Sequence, residues 1–130
     1  MIYVDTSALA KLVMAEPETE SLRNYLRQAT HEPTASSELT LVELRRAAVR
    51  RGQDTAELAE QVLARVDTCP LYREVVDRAS SLDPSVLRTL DALHVATALE
   101  LRASAVVTYD RRMLEACVSH GLTAVAPGAD

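Results

Sequence analysis

Short apolar runs and longer periodic stretches alternate along the chain. It opens MIYVDTSALAKL, where Ile2, Tyr3 and Val4 form a run that suits a strand buried on both faces. Ser7–Met14 has helical periodicity. A second helix is expected from Pro17 to about Ala29, with Glu16, Glu18 and Glu20 near its positive end. A second strand is expected around Pro33–Ser36, then a helix over Leu39–Arg51 ended by Gly52. Asp54 is the expected cap of another helix reaching about Val66. Pro70–Tyr72 reads as a weak third strand and Glu74–Leu82 as a short helix. After the break at Asp83–Pro84 come a helix over Leu87–Arg102, a strand over Ala105–Thr108, a helix over Arg111–His120 stopped by Gly121, and a last strand at Thr123–Val125.

This alternation predicts an α/β domain built on a parallel sheet, with one domain spanning residues 1–130. In such sheets the reactive crevice lies outside the carboxyl ends of the strands. Residues that follow each strand are therefore the first to search for chemistry.

Two strands end alike, in YVDTS and in VVTYDRR. If both are central and parallel, Asp5 and Asp110 emerge at one edge. Each is equally a favoured helix cap. In the stretch SSELTLVELRRAAVRR, Leu41, Leu44 and Ala48 share an apolar face, and Glu43, Arg46 and Arg50 form a polar strip on the other side. That strip reads as a solvated face with a weak Glu–Arg pair, or as a carboxylate facing a crevice with arginines beside it for phosphate. In LRTLDALHVATALEL, Asp91, His94, Val95 and Ala98 share a face of a very apolar helix. A carboxylate there needs a partner, either His94 one turn on or a hard divalent cation.

Composition narrows the choices. The 14 basic and 19 acidic residues leave a net charge of −5, against broad electrostatic capture of nucleic acid but not against a local basic groove. The chain has no Trp or Phe and 4 Tyr, too few aromatics for a base-stacking platform. Lys11 is the only lysine, so the cationic side chains are otherwise forked guanidinia suited to phosphate. Cys69 and Cys117 form no CxxC pair and read as buried free thiols. His31, His94 and His120 lack zinc-hydrolase spacing. A haloacid-dehalogenase-like phosphatase would want a second acid where Ser7 stands. A receiver domain would want an acidic pair after the first strand and a lysine after the last. No apolar run approaches the roughly 18 residues of a membrane span, and the amino terminus lacks a basic-then-apolar signal. A cytoplasmic protein is the expectation.

YVDTSALAKL, SELTLVELRRA, LDALHVATALEL and VVTYDRRM occur in the order seen in PIN domains, and more narrowly resemble the VapC-like toxin ribonucleases of type II toxin–antitoxin modules. The resemblance runs from residue 2 to about 125. It implies a three-layer α/β/α sandwich around a parallel sheet of about four or five strands. It assigns an acidic catalytic and metal-holding quartet to Asp5, Glu43, Asp91 and Asp110, supported by the hydroxyls of Thr6, Ser7 and Thr108. Glu38 lies close by, but the family pattern selects Glu43. One or two Mg²⁺ or Mn²⁺ ions are implied, with hydrolysis of RNA by activated water to leave 5′-phosphate and 3′-hydroxyl ends. Arg46, Arg50 and Arg112 are candidate phosphate contacts. A VapB-like antitoxin and a homodimer formed through helices of the amino-terminal half are the implied partners. A catalytically silent PIN-like module that binds RNA or a partner is the alternative; all four quartet positions are acidic, which speaks against it.

Overall fold

The computed structural model describes residues 1–129; Asp130, the last position of the expected domain, lies outside the described residues. The elements follow as β1 (Ile2–Val4), α1 (Thr6–Val13), α2 (Thr19–Gln28), β2 (Thr34–Ser37), α3 (Leu39–Val49), α4 (Gln53–Leu63), β3 (Asp67–Cys69), α5 (Arg73–Ser81), α6 (Thr89–Glu100), β4 (Ala105–Val107), α7 (Arg111–Ser119) and β5 (Ala124–Val125). All neighbouring strands are parallel, in the order β3-β2-β1-β4-β5.

The two-residue period of the central strands divides the core into two layers. Tyr3 and Val106 enter one cluster with Val75 of α5, Val95 and Ala96 of α6, and Met113 of α7. Ile2, Val4, Ala105 and Val107 enter the other with Leu9 of α1, Leu22 of α2, Leu44 of α3, and Ala59 and Leu63 of α4. Helices thus cover both faces of the sheet, giving the expected α/β/α sandwich with five strands. Because β1 and β4 are buried on both sides, each is a continuous apolar run.

Three local expectations shift. The third strand is Asp67–Cys69 rather than Pro70–Tyr72: Pro70 has no N–H to give a ladder and stands just after the strand ends. There Glu38 N–H bonds Cys69 O at 2.9 Å, and the Glu38 carboxylate accepts from Leu71 N–H at 2.7 Å. The cap of α4 is Gly52, not Asp54, which sits inside the first turn. Gly52 has φ +110°, a backbone state that L side chains rarely adopt, so it both ends α3 and starts α4. Cys117 is buried as expected, whereas Cys69 is partly exposed; neither is in a disulfide.

Candidate active site

β1 and β4 are neighbours at the centre of the sheet, with Val4 opposite Val107. The residues that follow them therefore emerge side by side. Asp5 N–H still bonds Val107 O at 3.2 Å, which fixes the carboxylate just beyond the last ladder rung. Asp5 is 4% exposed. Its Oδ1 accepts from Ser7 Oγ at 2.7 Å and from Ala8 N–H at 3.0 Å, and its Oδ2 accepts from Thr108 Oγ1 at 2.6 Å. Asp5 is thus itself the cap of α1. Of the two hydroxyls that follow, Ser7 holds Asp5, and Thr6 donates to Glu43 Oε1 at 2.7 Å.

The hydroxyls form a small lattice. Tyr109 N–H donates to Ser7 Oγ at 3.0 Å, and Asp110 N–H to Thr108 Oγ1 at 3.1 Å. The backbone after β4 is thereby tied, through two hydroxyls, to both oxygens of Asp5. Asp110 caps α7, its Oδ1 accepting from Met113 N–H at 3.1 Å. Burial pushes the Asp5 carboxyl above its ordinary range, and the hydrogen bonds from Thr108, Ser7 and Ala8 oppose that push.

Glu43 leaves the solvated strip that its helical position allows. It is half-buried, and its Oε1 takes both the Thr6 hydroxyl and His94 Nε2 at 2.8 Å. Burial raises its pKa, but the His94 and Thr6 bonds outweigh burial and hold it below the usual range. Arg46 on the same helix and Arg50 at its C-cap are exposed, and among the described residues neither forms an ion pair with Glu43. His94 does not serve Asp91 either, since its two ring nitrogens go to Tyr3 and Glu43.

Asp91 is left, among the described residues, with no protein hydrogen bond to its carboxylate. It lies in the first turn of α6. Burial raises its pKa, and the charges of Asp110, Asp5 and Glu43 add to the rise against a lowering by His94. Asp91 thus senses all three other acids, which places the quartet in one electrostatic neighbourhood. Asp91 and Asp110 line a cleft of about 410 Å³ with Arg88, Arg111 and Arg112. The sequence reading named Arg112 but missed Arg88 and Arg111. Their positions were the available signal, because Arg88 precedes α6 and Arg111 follows the Asp110 cap.

The donor set is that of a hard divalent cation: carboxylate oxygens, with hydroxyls holding them. A carboxylate whose own charge is opposed by three neighbours is relieved by a cation. As placed, no three His, Cys, Asp or Glu side chains among the described residues converge to hold one ion. The donor chemistry fits, and Asp91, with no protein hydrogen bond to its carboxylate among the described residues, and Asp110, held through one oxygen, are less restrained than Asp5. A second, larger groove of about 810 Å³ lies away from the carboxylates, lined by Leu9, Leu12, Leu26, Leu58 and Val62 among others.

The PIN domain family profile matches residues 2–118. Ribonuclease VapC47 of Mycobacterium tuberculosis is 42% identical over 134 residues, covering 99% of this chain and 98% of that protein. Ribonuclease VapC46 of the same species is 41% identical, covering 97% of each. Among solved structures, VapBC2 from Rickettsia felis bound to a DNA fragment from its promoter superposes with a TM-score of 0.78 at 17% identity, covering 98% of this chain and 99% of that one. The sarcin-ricin loop cleaving toxin VapC20 of Mycobacterium tuberculosis gives 0.75 at 20% identity, covering 98% and 100%. At such identities these two structures speak for the fold.

Proposed function

The chain belongs to the PIN-domain family and within it to the VapC ribonucleases, and from that premise we propose that it hydrolyses RNA with divalent metal held by Asp5, Glu43, Asp91 and Asp110. It is an endoribonuclease toxin of a type II toxin–antitoxin system. The observation that carries the metal reading is the Asp91 carboxylate, which has no protein hydrogen bond among the described residues. Its pKa is raised by burial first and then by the charges of Asp110, Asp5 and Glu43, against a lowering by His94.

When bound, Mg²⁺ or Mn²⁺ supplies charge to offset the phosphate and lowers the pKa of water. The chain's own residues supply the rest. Thr108, Ser7 and the Ala8 N–H fix the Asp5 carboxylate as the rigid member of the set. Asp91 and Asp110 face the open cleft and are the adjustable members. Glu43 keeps Oε2 clear of the Thr6 and His94 bonds and is suited to position the attacking water or complete the ion's shell. Arg88, Arg111 and Arg112 rim the acidic floor, so a backbone phosphate meets guanidinium forks while its scissile neighbour meets the carboxylates. The expected products are 5′-phosphate and 3′-hydroxyl ends.

The expected partners have supports of their own. The 810 Å³ groove between α1, α2 and α4 offers an apolar floor edged by Arg23, Arg27 and Arg65, suited to an amphipathic antitoxin segment. Val42 and Val49, seven residues apart on α3, are 57% and 63% exposed and suit a homodimer contact in the amino-terminal half. Among the described residues no helix is long and apolar enough to cross a membrane.

The decisive experiment is RNA cleavage with and without Mn²⁺, comparing the natural chain with Asp91→Asn. Metal-dependent cleavage lost in the variant is expected; metal-independent cleavage, or equal cleavage by both, overturns the reading. Arg88→Ala, Arg111→Ala and Arg112→Ala should each weaken RNA binding and lower the salt slope by about 0.7 per lost phosphate contact.

A further inference from the structure

His94 is 3% exposed in a helix whose other buried residues are Ala, Val and Thr. A leucine would fill that space at lower desolvation cost. The imidazole instead spans three elements. Its Nδ1 lies 2.6 Å from the Tyr3 hydroxyl on β1, and its Nε2 lies 2.8 Å from Glu43 Oε1 on α3. The Tyr3 and His94 rings meet edge-on, at 6.0 Å and 70°. Tyr3 is wholly buried.

Hydrogen-bond chemistry gives this chain a direction. Ionised Glu43 can only accept, so Nε2 must carry a proton and donate. In a neutral ring Nδ1 is then the acceptor, and the Tyr3 hydroxyl donates to it. Thr6 adds a second donor to the same Oε1. Both restraints therefore fall on one oxygen, and Oε2 carries no protein hydrogen bond among the described residues. The pattern is that of an oriented ligand, one oxygen gripped and one presented.

We propose that Tyr3 and His94 are positioning residues for the ribonuclease reaction, forming a buried relay that locks Glu43 with Oε2 turned to the acidic site. The relay rests on the metal-dependent ribonuclease reading above and deepens it. It makes the central strand, and not only α3, responsible for where the Glu43 carboxylate stands. The two helical layers pack on opposite faces of the sheet, and His94 to Glu43 is a polar link between them across its carboxyl edge.

Tyr3→Phe removes one oxygen and leaves the core volume unchanged. His94→Gln keeps an N–H donor near the Nε2 position, whereas His94→Asn and His94→Leu do not reach Glu43. For Tyr3→Phe, His94→Asn and His94→Leu, we expect kcat to fall about 10–100-fold, as for lost partners of a metal-ligating side chain. KM for RNA should stay unchanged, and Mn²⁺ affinity measured by calorimetry without RNA should fall in parallel. His94→Gln should recover much of both. Long-range ¹H–¹⁵N spectra of the natural chain should show the proton on Nε2. Folded Phe, Asn and Leu variants with natural kcat and Mn²⁺ affinity would overturn the relay while leaving the ribonuclease reading intact. Equal damage in Gln and Asn variants would also overturn it. A natural chain that cleaves no RNA with Mn²⁺ overturns the ribonuclease reading, and the relay's role with it.

Discussion

The junctions β1–Asp5–α1 and β4–Asp110–α7 are built on one plan and serve different ends. Each joins a buried parallel strand to a helix whose third N–H bonds an Asp Oδ1, the Asp following β1 directly and following β4 after Thr108 and Tyr109. At the first junction the carboxylate is 4% exposed and accepts three hydrogen bonds. At the second it is half-exposed, caps its helix through one oxygen, and leaves the other toward a cleft with Asp91 and three arginines. The same cap thus holds one carboxylate rigid and leaves the other adjustable. Capping and metal holding are compatible duties, since an Asp has two oxygens and more lone pairs than the cap consumes.

The comparison is broken most directly by exchanging oxygens for amide nitrogens. Asp5→Asn should cost on the order of 10²–10³ in kcat, the scale of losing one preorganised group at a charge-developing site. Asp110→Asn should cost less, because its free oxygen can adjust and Asp91 stands beside it in the cleft. Circular dichroism melts should show both variants folded. Cleavage rates measured at saturating Mn²⁺ decide it: equal losses would erase the distinction between rigid and adjustable ligands.

Thr108→Val comes next. It keeps the shape but removes the donor to Asp5 Oδ2 and the acceptor of Asp110 N–H in one step. Metal affinity should fall about 10–100-fold. Stability should fall by about 1–3 kcal/mol, since buried polar groups lose their partner. Calorimetric Mn²⁺ titration and urea melts read the two effects separately. Loss of stability alone would make Thr108 a purely structural link.

Much of this comparison was legible in the chain. The runs IYV and AVV mark doubly buried strands, and an Asp after each, before a helix, marks the site edge. The resemblance supplied Glu43 and Asp91, which local pattern alone left ambiguous. What pattern could not supply is orientation across the sheet. On a helical wheel Glu43 shares a strip with Arg46 and Arg50, yet it turns to Thr6 and His94, residues 37 and 51 positions away in sequence. His94 sits one turn from Asp91, and periodicity offered it as that residue's partner. The buried Tyr3 hydroxyl claims one ring nitrogen and Glu43 the other. Such pairings depend on strand order, and strand order is not written in any one segment. The third strand was misplaced for a simpler reason: Asp67, Thr68 and Cys69 form an edge strand with little burial, so hydrophobicity did not mark it.

Removing the Asp110 cap separates capping from the proposed metal holding at smaller scale. Asp110→Ala should destabilise the chain by about 1 kcal/mol through loss of the Met113 N–H acceptor. Asp110→Ser should restore most of that stability, because serine caps well, and none of the activity. Thermal melts and cleavage assays on the same preparations test this, and restored cleavage in the serine variant would remove Asp110 from the metal-holding set.

The smallest effect concerns Asp91, and its sign is opposite. Burial and three neighbouring carboxylates hold its folded pKa above the ordinary value. Protonation therefore favours the folded chain, and that contribution is complete below the unfolded carboxylate pKa of about 3.9. It is lost as pH rises through the raised folded value, so at neutral pH the ionised Asp91 opposes folding in the metal-free protein. Asp91→Asn should then melt slightly above the natural chain at pH 7 without metal, with the gap closing toward the carboxylate range. Added Mn²⁺ should reverse the order, stabilising the natural chain by mass action and the variant less. Melting curves at two pH values, with and without Mn²⁺, distinguish this from a surface carboxylate, for which all four comparisons would show no gap. An acid kept at a cost to stability is one the fold retains for its site. Burial raises the sealed Asp5 as well, but three hydrogen bonds oppose the rise there, whereas among the described residues no protein hydrogen bond relieves Asp91.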